Sequence, residues 1–271
     1  MAQLTPMMQQ YMEIKNRHKD KIVFFRLGDF YEMFFDDALT ASRVLDITLT
    51  GRDCGLKERA PMCGIPYHAA DSYIAKLIEN NYKVAICEQM EDPALTKNIV
   101  KRDVVKIITP GTVTSSIMLD ENSNNYLMSI VTSNNYIGIS YIDLSTGEYF
   151  CTFADKSQKK LINAEINRIN PKEVVVNNIE NGYEYLENIT ELDKKYYILS
   201  ECKTRLKKQF AVGNIEGLGI DNDVLTIACG SLLLYLDEVH KGALKNINKL
   251  KFYNITNYMI LDQSTRKNLE L

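Results

Sequence analysis

The sequence predicts an α/β protein of two domains, and three observations carry that reading. Short β-branched or aromatic runs alternate with helical ones through the first 110 residues. A polar, turn-rich stretch, GTVTSSIMLDENSNNY over 111–126, interrupts the alternation. Beyond it stand three strand-like runs joined by hairpin signals, followed again by mixed helices and strands. The expected division is a mixed-sheet domain over 1–115, a linker over 116–125, a second domain over 126–252, and over 253–271 the opening of a further element. A chain of 271 residues is long enough to bury two cores.

Each element follows from local chemistry. Thr5 is a candidate N-cap and Pro6 fits the first helical position, so a helix runs over 5–18 through Met8, Tyr11, Met12 and Ile14. KIVFFRLG, ending in Gly28, is a strand. From Gly28 or Asp29 a helix is expected to reach Leu45. At about 100° per residue, Phe30, Tyr31, Phe34, Phe35, Ala38, Ala41 and Leu45 fall within roughly 140° of arc. Asp29 and Glu32 have the spacing of a capping box, which would place Phe30 in the first helical turn. DITLTGR is a strand, GRDCGLKERAP a polar loop, and a helix with Pro66 as its first residue continues through YHAADSYIAKLIENNY. KVAICEQM and VVKIITPG are strands, the latter stopped by Pro110 and Gly111.

In the second domain, Asn134-Asn135 and Thr146-Gly147 fit hairpin turns between three strands. A helix over 157–169, a strand over 173–177 and helices over 200–210 and 222–241 follow. An antiparallel meander followed by α/β elements is the pattern of a ribonuclease-H-like fold. LTIACGSLLLYL over 225–236 is too short to span a bilayer and reads as a buried helix.

Composition narrows the function classes. Hydrophobic content of 45% with 25% charged residues is that of an ordinary globular protein, and no membrane association is expected. Net charge is −3, and residues 1–115 hold 15 Lys/Arg against 15 Asp/Glu, so a polyanion partner would need a local patch. Six cysteines (54, 63, 87, 151, 202, 229) without a CxxC pair read as reduced buried thiols, the cytoplasmic pattern. The N-terminus lacks the basic flank and apolar run of a signal peptide. The sequence has no GxxxxGKS/T phosphate loop, GxSxG, HExxH or GxGxxG.

Four groups of residues invite chemistry. Phe30 and Glu32, in GDFYEMFF, put an aromatic ring and a carboxylate at an element's entrance, where an exposed ring needs a reason. Its bland reading is core, with Glu32 capping the helix. His68 and Tyr67 stand in the first turn after Pro66; His68 has no metal-ligand spacing to His18 or His240 and is either a structural histidine or a contact to an anionic backbone. Arg52, Lys57 and Arg59 lie on a glycine-containing loop, either solvated or tracking phosphates. Asp143, Glu148 and Glu165 could form a two-metal site, but YLMSIVTS, the first strand of the second domain, lacks the aspartate that such nucleases carry.

Segments TPMMQQYMEIK, FFRLGDFYEMFFDDA, RVLDITLT, PMCGIPYHA, VAICEQ, ITPGT and MILDQSTRKNLEL, in this order, resemble the N-terminal part of the bacterial MutS family of DNA mismatch-repair sensors. The resemblance covers essentially all of 5–115 and the last dozen residues; IDLSTGEY and the helix over 222–240 extend it loosely across the middle. It implies that residues 1–115 are the mismatch-recognition domain, 126–252 the connector and 253–271 the start of the lever. Phe30-Tyr31-Glu32 matches the family's Phe-x-Glu motif, so Phe30 would enter the minor groove and stack on a mispaired base. Glu32 would hydrogen-bond that base, protonated or accepting from a base N–H, because desolvation and nearby phosphates both raise a carboxyl pKa. Arg52, Tyr67 and His68 would contact the DNA backbone, Tyr31 and Met33 would pack under the wedge, and Phe34 and Phe35 would stay in the core.

The resemblance further implies that this stretch is not itself an enzyme and holds no cofactor. ATP and Mg belong to the ATPase region of the full-length family protein, through which it forms homodimers; these residues alone would be monomeric. The implied partners are mismatched double-stranded DNA and, through the connector, the MutL matchmaker, for which SECKTRLKKQF is the candidate surface. The implied location is the bacterial cytoplasm, at the nucleoid. The alternative is an interaction fragment whose connector binds repair partners without independent DNA reading.

Overall fold

The structure is a computed structural model that describes residues 4–91, 99–114, 123–183, 185–240 and 244–257. The segment MILDQSTRKNLEL, and most of the expected linker, lie outside the described residues. The chain divides into two compact units, each with its own six-stranded sheet. Gly111–Thr114, expected in the first domain, groups with the second unit. The reason is local: the Gly111 amide donates to the buried Glu173 carboxylate at 3.1 Å, and a Cβ at Gly111 would lie within 3.0 Å of Glu173 and Leu127 side chains.

In the first unit, helix α1 (Pro6–Arg17) is followed by strands β1 (Lys21–Leu27) and β2 (Phe30–Phe34), helix α2 (Phe35–Leu45), strands β3 (Thr50–Arg52) and β4 (Ala60–Pro66), helix α3 (Ala70–Glu79), and strands β5 (Lys83–Gln89) and β6 (Arg102–Ile108). Their order in the sheet is β3-β4-β2-β1-β5-β6, antiparallel except for β1 beside β5. Pro6 opens α1 as expected, although the Thr5 side chain makes no capping bond. Met8, Tyr11 and Ile14 form its buried stripe. The Tyr11 ring packs edge-on against Phe25 and Phe34, so α1 covers the sheet face to which those rings point. Helix α2 covers the opposite face: the Cys63 thiol reaches the Ala38 carbonyl, and Cys63 is the cross-strand neighbour of Met33. Small residues Ala38 and Ala41 let that helix lie close.

The expected helix over 29–45 is corrected: its first turn is strand β2, and only Phe35–Leu45 is helical. Residues 30–32 are claimed on both sides by ladder partners, for example Phe25↔Glu32 in β1 and Glu32↔Gly64 in β4, the β4 pairing continues to Phe34, and those bonds outweigh a local helical pattern. Asp29 and Glu32 therefore form no capping box. DITLTGR contributes only Thr50–Arg52. APMCGIP is the inner strand β4: its middle, 62–65, is unassigned in sequence, Ala60 and Pro61 are expected in the polar loop, and Pro66 ends the strand rather than opening a helix.

The second unit begins with the expected meander, β7 (Tyr126–Thr132), β8 (Tyr136–Asp143) and β9 (Glu148–Asp155). Helix α4 (Lys159–Ile169), β10 (Glu173–Val176), β11 (Ile189–Glu191), α5 (Leu199–Phe210), α6 (Asp223–Val239) and β12 (Lys251–Phe252) follow. The sheet order is β11-β10-β7-β8-β9-β12, with β10, β11 and β12 joining in parallel. This mixed sheet, an antiparallel meander extended by parallel strands with helices on both faces, is the ribonuclease-H-like arrangement. Ile162 and Ile166 of α4 pack with Met128, Ile130 and Ile139. On the other face α6 is held by Ser140 Oγ and Tyr149 OH, which donate to the Ala228 and Cys229 carbonyls at 2.8 and 2.6 Å. The run 225–236 is this buried helix, and no described helix is long and apolar enough to cross a membrane.

Helices α5 and α6 meet where Gly230 faces Cys202. A Cβ at Gly230 would lie 2.2 Å from the Cys202 Cβ and 2.5 Å from its Cα, so the backbones themselves would have to part. Gly230→Ala is expected to destabilise the second unit by about 1–3 kcal/mol, despite alanine's better helix propensity. Thermal denaturation checks it; a rise in melting temperature would refute the close approach.

Candidate nucleic-acid interface

The candidate site is built on the β1–β2 hairpin. Leu27 pairs with Phe30, leaving Gly28 and Asp29 as a two-residue turn. Gly28 has φ +59° and Asp29 does not share the positive sign, the pattern of a type II′ turn. A Cβ at Gly28 would touch nothing within 4 Å, so the backbone conformation alone calls for glycine. The turn delivers Phe30 as the first residue of β2, opposite Pro66 at the end of β4. The Tyr67 amide donates to the Asp29 carbonyl at 3.0 Å, which ties the residues after β4 to the same tip.

Side chains then sort by strand parity. Tyr31 and Met33 are buried on the face covered by α2, while Phe30, Glu32 and Phe34 share the other. Phe34 is fully buried; Phe30 is 47% exposed. Tyr31 and Met33 thus support β2 from its opposite face, not from directly beneath Phe30. Phe35, expected in the core, is half-buried, with its ring 6.2 Å from Tyr11. Tyr67 and His68 are exposed and meet edge to face at 5.8 Å. The structure therefore brings Phe30, Tyr67 and His68 to one end of the β2–β4 pair.

Glu32 and Arg52 form a second group on the Phe30 face. Arg52, the last residue of edge strand β3, donates from its guanidinium to the Glu32 carboxylate. The Glu32 side chain is 15% exposed and that of Arg52 37%. Lys57 and Arg59 are exposed on the loop that follows. That loop is anchored, since the Thr5 amide donates to the Cys54 carbonyl at 2.9 Å and the Asp53 carboxylate accepts from the Gly55 amide at 2.9 Å.

Sequence reasoning missed Arg26 and Glu88. The Arg26 guanidinium lies 3.6 Å over the Tyr67 ring, and its Nε donates to the Gly28 carbonyl at 2.5 Å. One side chain thereby fastens the turn that carries Phe30 to the exposed Tyr67. Glu88 of β5 accepts from the Tyr31 hydroxyl and stands 4.0 Å from Arg26. Burial, and then the Glu88 carboxylate, hold the Tyr31 phenol well above its usual pKa, so it remains a donor. The available signal was the polar Arg26, next to last in a strand whose interior is apolar, just before a glycine turn.

The carboxylates considered for metal chemistry are each engaged. Asp143 and Glu148 are cross-strand neighbours, but Asp143 accepts from Asn125 and Ser145 amides and from Ser145 Oγ. Glu165 holds Arg168 in a bidentate pair and accepts from Tyr253. Among the described residues no three His, Cys, Asp or Glu side chains form a cluster that could hold a metal ion.

Comparison with known proteins places the chain in a family. The family model described as MutS domain I matches residues 5–116, and that of MutS domain II matches residues 125–248. A DNA mismatch repair protein MutS from Acetivibrio thermocellus is 53% identical over 283 residues, covering 100% of this chain and 32% of the relative. Those of Lachnoclostridium phytofermentans and Ruminiclostridium cellulolyticum are 48% and 49% identical, again over 100% of this chain and over 30% and 32% of the relatives. The chain thus spans about a third of the length of these curated relatives. With two consecutive domain models and full-length coverage by these relatives, the chain belongs to the MutS family and carries its domains I and II in order.

Proposed function

We propose that the first unit reads mispaired or unpaired bases in duplex DNA, with Phe30 as the wedge and Glu32 as the hydrogen-bonding partner of the displaced base. The observation that carries this reading is the exposed Phe30 ring on a strand paired on both sides, within a chain whose relatives are named as DNA mismatch repair proteins. A ring held this rigidly loses little freedom on insertion. Wedging between base steps costs a few kcal/mol of unstacking, and a mispair has already lost part of that stacking and pairing. The protein thereby reads deformability, which suits acceptance of many different mispairs. Arg52, Tyr67 and His68 contact the DNA backbone on this reading and fix the register of the wedge.

The second unit acts as the connector. Its α5, with Lys207 and Lys208 exposed in the last turn, is the face proposed for MutL. Homodimerisation and ATP with Mg are proposed for the family's ATPase region, and no residue described here is assigned to them.

The test is a fluorescence-anisotropy titration at low salt of this chain against a G·T-mismatched duplex and its matched twin. Roughly tenfold tighter binding of the mismatch is expected. Equal affinities for the two duplexes would overturn the reading.

A further inference from the structure

We infer that Arg52 and Glu32 form a gate over the base-reading carboxylate, closed in the DNA-free protein and opened by mispaired DNA. This rests on the proposed reading of Phe30 and Glu32. Glu32 is largely buried on inner strand β2, and its carboxylate is held by the Arg52 guanidinium. A carboxylate withdrawn from water needs such a partner. The two ends of the pair differ in freedom. Glu32 is short and sits between β1 and β4. Arg52 is long, more exposed, and ends a three-residue edge strand. Arg52 can swing to a phosphate, whereas Glu32 must stay where the wedge strand puts it.

This asymmetry makes recognition conditional on two events. When Arg52 turns to a phosphate, Glu32 is left beside a polyanion and gains a new partner only if a base presents an N–H to it. A mispaired base displaced by Phe30 can do so. In matched duplex the bases stay stacked and their ring N–H groups are engaged within the pairs; the guanine amino N–H that faces the minor groove remains at the groove floor, to which Phe30 has not carried Glu32, so Arg52 stays on Glu32 and one phosphate contact is not made. The pair therefore weakens binding to intact DNA in addition to supporting binding to a mispair.

A double-mutant cycle over Glu32→Gln and Arg52→Gln in this chain tests the gate, with circular dichroism confirming that each variant is folded. Without DNA, the two substitutions are expected to be non-additive in melting temperature. With mismatched duplex, Arg52→Gln is expected to weaken binding roughly fivefold more in the Glu32→Gln background than in the wild type, because the wild type alone must open the pair. With matched duplex, Glu32→Gln tightens binding, and adding Arg52→Gln abolishes the gain. If Arg52 is an independent phosphate contact, its loss weakens both duplexes by the same factor in both backgrounds, and the gate is overturned. Additive melting temperatures would overturn it as well. Failure of the wild type to prefer the mismatch, or to bind DNA at all, would instead overturn the base-reading function and the gate with it.

Discussion

Phe30→Ala abolishes the preference for mispaired duplex while leaving the first unit folded. Base–aromatic stacking contributes about 1–3 kcal/mol per base, so affinity for the mismatch should fall by roughly 5- to 150-fold. The ring is 47% exposed and carries little of the core, so stability should change by no more than about 0.5 kcal/mol. The control lies four residues on. Phe34 points to the same sheet face but is fully buried, with its ring 5.0 Å from Tyr11 and 6.4 Å from Phe25. Phe34→Ala should cost about 3–5 kcal/mol of stability. Anisotropy titration and thermal denaturation of both variants separate the two roles. A drop in melting temperature for Phe30→Ala as large as that for Phe34→Ala would make Phe30 a structural ring and remove the wedge.

The same peptide shows how far the sequence could be read. Its aromatic residues satisfy a helical period and a strand period almost equally, because Phe30 and Phe34 coincide in both. The Asp29–Glu32 spacing tilted the local reading toward a helix start. What decides for strand is not local: β4 must arrive on one side of β2 and β1 on the other. Strand β4 was itself hidden by Pro61, Gly64 and Pro66, which punctuate APMCGIP like a loop. The meander of the second unit was legible because its turns are local, with Ser133 and Tyr136 closing the first and Asp143 capping the second. In the candidate site, Phe30, Glu32, Arg52, Tyr67 and His68 were identifiable by type and by family resemblance. Their arrangement was not. That Arg52 holds Glu32, and that Arg26 fastens Gly28 to Tyr67, depends on cross-strand register, which single residues do not encode.

Asp37→Ala is expected to be among the most destabilising substitutions in the first unit, at about 3–5 kcal/mol. Asp37 lies in the first turn of α2 and is 5% exposed. Its carboxylate accepts from Lys15 Nζ at 2.7 Å, Tyr11 OH at 3.0 Å and the Val23 amide at 3.0 Å. Three elements, α1, β1 and α2, thus converge on one acceptor, which also sits favourably at the positive end of its helix. Burial, and then Asp37 itself, hold the Tyr11 phenol far above its usual pKa, so it stays a donor throughout. Alanine would leave the buried Val23 amide without its partner and the Tyr11 hydroxyl with only the Phe34 carbonyl, at 3.2 Å. Lys15→Met should cost less, because Asp37 keeps two of its three donors, and Lys15 also serves the Lys19 and Lys21 carbonyls, which are nearer the surface. Urea denaturation of the two variants checks the order. The network also separates folding from reading: at temperatures where Asp37→Ala is still folded, Phe30 remains on its hairpin, and the preference for mispaired duplex should match the wild type. Loss of that preference in the folded variant would mean that α1 and α2 do more for the wedge than hold its sheet together.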